Sequence, residues 1–372
     1  MRISNTVLNG RQAWELDNDE LSEAVLKGGG HIASLKLKEK GAINPLWVPE
    51  WRTIEPWQYK PQQATRYGSK LLASIAGHNL CLGWFGDPSA DELKAGMGCH
   101  GEAPVARWRL TAKKVTRISA SLTYGCDLPV AEMSFSRTLS SRHGSSIIEI
   151  CEEVVNLARR DVPYTMCEHV TLGPPFLEKD ATFFDMPATA GHTFPRPFGD
   201  RQRLATDTGF AWPQGPGADG KIVDLRRLGN AGRASSDFST QLMDPGREDA
   251  WFSAVNPRLG LMLACVWRRS DFPWLGNWEE NRGRKAQPWA GKSLTRGMEF
   301  ANTPFPVGLR QAVTMGTFHG RPTFRWMTAR GRVQIRYAMI LVRVPVQVAG
   351  VNDIRAVERG FEIDFKTQRS KS

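Results

Sequence analysis

No run of about 18 consecutive apolar residues occurs in the 372-residue sequence, so it holds no candidate membrane-spanning helix. The first residues, MRISNTVLNGRQAWEL, lack the charged start, apolar stretch and small-residue cleavage site of a secretory leader; a cytoplasmic chain is expected. Cysteine appears six times but always singly, at Cys81, Cys99, Cys126, Cys151, Cys167 and Cys265. The absence of any C-x-x-C pair argues against a zinc site and a disulfide-dense scaffold, and the six read as reduced, mostly buried thiols. G-x-x-x-x-G-K-[ST], H-E-x-x-H and G-x-S-x-G are also missing, as is a convincing G-x-G-x-x-G after a strand. Nucleotide, zinc-protease and serine-hydrolase chemistry therefore lack their usual support. Sustained apolar spacing at i, i+3, i+4, i+7 is scarce, which argues against a helical protein.

Basic charge and indole are what the chain has in surplus. There are 49 Lys and Arg against 38 Asp and Glu, a net charge of +11. The basic residues are scattered in short pairs such as Lys113-Lys114, Arg159-Arg160, Arg226-Arg227 and Arg268-Arg269, without a nucleic-acid module. The surplus therefore suits solubility or an anionic small molecule better than nucleic acid. Thirteen tryptophans stand against five tyrosines. An indole is a large apolar plate with one donor, suited to core packing and equally to the C–H face of a sugar ring.

Period-two alternation is plain at 117–124, where Ile118, Ala120, Leu122 and Tyr124 share a face. Strands are also expected at 24–26, 32–37, 106–115, 132–139, 146–157, 260–267 and 333–342. Turn signals lie between them at 27–30, 142–144 and 230–232. One short capped helical turn is expected over 87–94. Many strands with short connections predict an all-β chain of antiparallel sheets packed face to face, or a barrel. With neither a linker nor an internal repeat of about 20–50 residues, 1–372 reads as a single domain.

Two long stretches break the strand rhythm: 44–67, with Trp47, Trp51 and Trp57 among prolines, and 193–233 around Trp212. Long loops in a compact domain are usually functional or disordered. Two histidines sit in segments built to hold a side chain, Gly98-Cys-His100-Gly-Glu-Ala-Pro104 and Cys167-Glu-His169-Val-Thr. Each is either a hydrogen-bonded turn residue or a site residue. In Arg296-Gly-Met-Glu299-Phe, a strand would point Glu299 away from Met298 and Phe300. Its carboxylate then either pairs with an arginine or faces a pocket as a proton acceptor. The segment 270–282, with Asp271, Trp274, Trp278 and Arg282, alternates aromatic and polar groups like the wall of a carbohydrate cleft. Arg268, Arg282 and Arg284 either meet an acidic sugar or pair with Glu279 and Glu280 on a solvated rim.

The order of these segments resembles the aldose 1-epimerase (galactose mutarotase-like) superfamily, in particular its less characterised bacterial branch. Four places carry the likeness: Gly28-Gly-Gly-His-Ile-Ala-Ser-Leu35 with Asn44-Pro-Leu-Trp47; His100-Gly followed by Trp108; the strand from Ile150 to Asn156 leading through Pro163 to His169 and Gly-Pro-Pro-Phe-Leu; and Arg296-Gly-Met-Glu299. The resemblance implies a large antiparallel β-sandwich, the galactose mutarotase-like supersandwich, with few short helices. It also implies a small-molecule carbohydrate as partner, and the interconversion of sugar anomers with no metal or redox cofactor. His169 matches the general acid for the ring oxygen, Glu299 the general base for the anomeric hydroxyl, and His100 a second, substrate-binding histidine. Trp278 and Arg282 would support the sugar, and the substrate-gripping aspartate would be Asp249 or Asp271. An arginine-bearing segment of the family is echoed only at Arg66-Tyr-Gly-Ser69. The tryptophans from Trp47 to Trp57 and the Glu102 after His100-Gly depart from the usual pattern and suit a reshaped pocket for a modified or oligomeric sugar. A non-catalytic carbohydrate-binding protein and a lyase or glycoside-cleaving enzyme are the alternatives on such a sandwich.

Overall fold

A computed structural model of the chain describes residues 1–229 and 233–367; the turn expected at 230–232 lies outside them. Two antiparallel sheets dominate. The larger has twelve strands, in the order Arg2–Leu8, Arg11–Asp17, Leu21–Leu26, Ile32–Leu37, His78–Gly83, Val162–Leu172, Leu294–Ala301, Trp274–Asn281, Ser235–Met243, Ala188–Thr193, Gly209–Ala211, with Arg325–Met327 beside Val162–Leu172. The smaller has eight and includes Leu261–Arg268, Arg332–Arg343, Ile147–Asn156, Met133–Arg142 and Ser119–Leu128. Among the described residues no helix is long and apolar enough to cross a membrane.

Alternating side chains from both sheets interdigitate into one core, as facing sheets require. Met166, Val170, Met298 and Phe300 from the larger sheet meet Ile150, Trp267, Met339 and Leu341 from the smaller. Phe300 stacks on Trp267 with centroids 4.4 Å apart and planes within 12°. Deleting such a ring costs about 3–5 kcal/mol in comparable cores.

Each expected strand is present, but the one expected at 106–115 starts only at Arg109 and is exposed on both faces, and Ile118 also departs from its pattern. Ile118 is 75% exposed because Thr116 folds the chain there, its hydroxyl accepting the N–H of Ile118 and of Ser119, and the strand starts only at Ser119. The expected helical turn is Ala90–Lys94, started by a capping box in which the Ser89 hydroxyl accepts the Glu92 N–H and the Glu92 carboxylate accepts the Ser89 N–H. The helix Gly308–Met315 was not expected. Eight residues are too few to show a period, and its start is fixed from outside, where the Glu92 carboxylate accepts the Arg310 N–H at 2.7 Å.

The core also encloses charge. Arg137 donates to Glu152 at 2.6 Å and to Glu168 at 2.7 Å, and the same Glu168 oxygen meets His78 Nε2 at 2.6 Å and the Tyr337 hydroxyl at 3.1 Å. All five are buried. Glu168 and His169 are consecutive on one strand, so this network braces the strand from the inner face while His169 points outward.

Candidate active site

Register builds the site. Antiparallel pairing sets Asn79, His169, Glu299, Gly276 and Thr240 side by side across five neighbouring strands, on the face away from the core. The residues flanking Glu299, Met298 and Phe300, face the core as their alternation demands. Directly opposed residues in an antiparallel pair have neighbouring Cβ atoms. His169 Nε2 and Glu299 Oε1 accordingly lie 3.0 Å apart. His169 Nδ1 is 3.0 Å from Oγ1 of Thr171, two residues on and on the same face. Thr171, His169 and Glu299 form a continuous chain of proton-exchanging groups, almost wholly buried.

His100 comes from a loop. Its backbone is left-handed, φ 63°, which swings the ring back over the sheet, where it stacks on Phe85 at 5.4 Å and meets His169 edge-on at 5.3 Å. The Gly86 N–H donates to its Nδ1 at 3.2 Å.

His100, His169 and Glu299 line a cavity of about 280 Å³ together with Trp278, Trp289 and Arg284. That is close to the lower end of small-molecule sites, about 300–1,000 Å³. Trp278 meets His169 edge-on at 5.7 Å. Trp289 stacks on Trp47 at 5.6 Å with planes 3° apart, and Trp51 packs edge-on against both. The 44–67 stretch thus forms part of the cavity wall's backing. The 193–233 stretch contributes Phe198 to the lining. Arg284 lies over Trp278 at 5.4 Å and Trp289 at 5.0 Å, with Glu280 3.4 Å from its Nε.

Four of the seven sequence-derived candidates, His169, Glu299, His100 and Trp278, meet in this cavity, and three do not. Asp249 opposes Arg268 on the smaller sheet. Asp271 sits in the turn before Trp274, in the field of Arg325 and Arg268. Arg282 follows the strand's last residue, Asn281, and its φ of 58° turns it out to solvent, whereas Arg284 returns onto the rings. Arg66 lies over the Tyr67 ring outside the lining. The cavity's second carboxylate is Asp87, which sequence reasoning placed only in a helix start. Its one signal was the Gly86-Asp87-Pro88 turn. No room for a six-membered ring lies between His169 and Glu299, because opposed strands hold them in contact; the open space lies over the pair.

No family model matches the sequence, and no curated protein matches it. Solved structures do. A candidate aldose 1-epimerase from Klebsiella pneumoniae superposes with a TM-score of 0.65 at 13% identity, covering 92% of this chain and 83% of that one. A galactose mutarotase-like protein from Clostridium acetobutylicum gives 0.60 at 14% identity, over 92% of this chain and 99% of that one. A candidate mutarotase from Salmonella typhimurium gives 0.55 at 13%, over 92% and 94%. At these identities the likeness establishes the fold, an antiparallel β-sandwich shared with these structures, and fold alone does not carry an activity.

Proposed function

We propose that the protein is an aldose 1-epimerase that interconverts the anomers of a sugar, with Glu299 as general base on the anomeric hydroxyl and His169 as general acid on the ring oxygen. The observation that carries the reading is the His169–Glu299 pair, 3.0 Å apart on the floor of a cavity of about 280 Å³. Ring opening moves two protons at two oxygens bonded to one carbon. The two carriers must therefore stand side by side at one edge of the sugar and not across it.

A sugar whose C1 edge settles on the pair replaces their direct contact. Ionised Glu299 takes the proton of the C1 hydroxyl as the His169 imidazolium gives one to the ring oxygen and the C1–O5 bond breaks. The aldehyde rotates about C1–C2. Then Glu299 returns its proton to the carbonyl oxygen while His169 takes back the one on O5, and the ring closes on the other face. Both groups end as they began. Each positioned proton transfer contributes about 10²–10⁴-fold. Thr171 steadies the imidazole through Nδ1, and His100 meets the sugar from the cavity lining. Trp278 and Trp289 make part of the lining apolar, which suits the C–H side of a pyranose.

Polarimetry on freshly dissolved sugars tests the reading. Accelerated approach to the equilibrium rotation supports it. Binding without acceleration, followed by tryptophan fluorescence, would make the protein a sugar-binding protein. A new reducing end or an unsaturated product would make it a glycoside-cleaving enzyme or a lyase.

A further inference from the structure

We propose, building on the epimerase reading, that the natural substrate is a reducing oligosaccharide: its end unit sits over His169 and Glu299, and its next unit occupies an adjoining pocket against Trp57. That pocket has a volume of about 670 Å³, more than twice that of the cavity holding His169 and Glu299. Ser69, Leu71 and Cys99 line both, so the two spaces adjoin along one wall.

The second pocket has a built aromatic surface. Trp57 is 39% exposed, unusual for an indole in a chain that buries most of its tryptophans. Arg107 covers one face of the ring at 4.2 Å, and Trp57 is part of the pocket lining. Both residues are anchored from behind. Trp57 lies in the short helix Pro56–Gln58, and the preceding Glu55 is locked by the Gln12 N–H at 2.7 Å and by Arg11 at 3.5 Å. Gly28 lets this corner close up: a Cβ there would lie 2.4 Å from both Glu55 Oε2 and Pro56 Cδ. Arg107 pairs through its backbone with the same Gly28. A fixed, partly exposed indole with donors beside it is the arrangement that stacks on a sugar's C–H face while binding its hydroxyls.

The donors are Lys70 and Arg107. Arg109 is held by Asp127 at 3.6 Å, and Glu102 accepts the Ala131 N–H at 2.9 Å. Among the described residues Lys70 and Arg107 have no carboxylate partner, and with Arg107 seated over Trp57 their charged ends would meet hydroxyl or ring oxygens beside the indole. A monosaccharide held over His169 and Glu299 would leave this second surface unused.

Anomer exchange, measured by NMR exchange spectroscopy, is compared for glucose and galactose and for the reducing disaccharides maltose, cellobiose and lactose, in the parent and in Trp57→Ala. The variant removes a partly exposed ring, and its melting curve verifies folding. For at least one disaccharide, the parent's kcat/KM should exceed that for the matching monosaccharide by about tenfold, the equivalent of roughly 1.4 kcal/mol. Trp57→Ala should erase that margin and leave the monosaccharide rate within about twofold of the parent. Equal treatment of mono- and disaccharides by the parent, or a margin that survives in Trp57→Ala, overturns the proposal. Disaccharide binding that depends on Trp57 without any anomer exchange would instead overturn the epimerase reading and keep the oligosaccharide subsite.

Discussion

A Cβ on Gly297 would lie 2.4 Å from Oε1 of Glu299, the oxygen that meets His169. The two residues share one face of the strand Leu294–Ala301, and the carboxylate leans into the space that Gly297 leaves empty. The glycine of Arg296-Gly-Met-Glu299 is thus a requirement of the carboxylate's position. Gly297→Ala is expected to displace Glu299 and lower anomer exchange by about 10²-fold, as small misplacements at a reacting centre do. Kinetics paired with a melting curve checks this: a rate within about twofold of the parent's in a folded variant would mean that the lean of the carboxylate is immaterial.

Thr171→Val keeps the shape of the side chain and removes the oxygen 3.0 Å from His169 Nδ1. An imidazole left without that partner loses its preferred orientation. Exchange should fall by about tenfold, the effect of roughly 1.4 kcal/mol, with KM nearly unchanged, because Thr171 reaches the sugar only through His169. A change confined to KM would place Thr171 in substrate contact.

Arg284 and Arg282 make a paired test of which arginine serves the cavity. Arg284 lies over Trp278 and Trp289, whereas Arg282 faces solvent. Arg284→Ala should weaken sugar binding by about tenfold or more, in keeping with the loss of about 1.4 kcal/mol. Arg282→Ala should alter neither kinetics nor stability by more than about 0.5 kcal/mol. The opposite ranking, read by titrating sugar against tryptophan fluorescence, would restore the sequence-based choice.

Glu23 makes stability depend on pH. Burial raises its carboxyl from 4.5 to about 8, with Arg137 only partly opposing. A carboxyl that holds its proton more tightly when folded contributes stability that is complete below the unfolded value and is lost as pH rises toward the folded one. The parent's melting temperature should therefore decline between about pH 5 and pH 8. Glu23→Gln, neutral throughout, should flatten that decline and exceed the parent at the alkaline end. Burial raises Glu152 in the same direction, so some slope should remain. An unchanged slope in Glu23→Gln would exclude Glu23 as its source.

Much of this molecule was legible in its sequence because strands advertise themselves. Alternation gave the expected strands at 32–37, 146–157 and 333–342 to within a residue or so. Glu299 was legible as outward-facing because Met298 and Phe300 on either side belong to the core. What stayed hidden depends on contacts between distant segments. Nothing local tells that Arg282 turns out and Arg284 turns in, since the difference is one left-handed residue at a strand's end. Asp87 reaches the cavity through a loop whose path is set by the helix Gly308–Met315 packed behind it. The contact between His169 and Glu299 follows from strand order, in which Val162–Leu172 lies beside Leu294–Ala301, a pairing that no single-chain pattern reveals.

The most direct test is NMR exchange spectroscopy between the two anomeric protons of a reducing sugar, with parent protein, His169→Ala and Glu299→Gln added in turn, each verified as folded. The proton-transfer account predicts fast exchange with the parent and losses of about 10²–10⁴-fold in each variant. Parent-level exchange in both folded variants would contradict it.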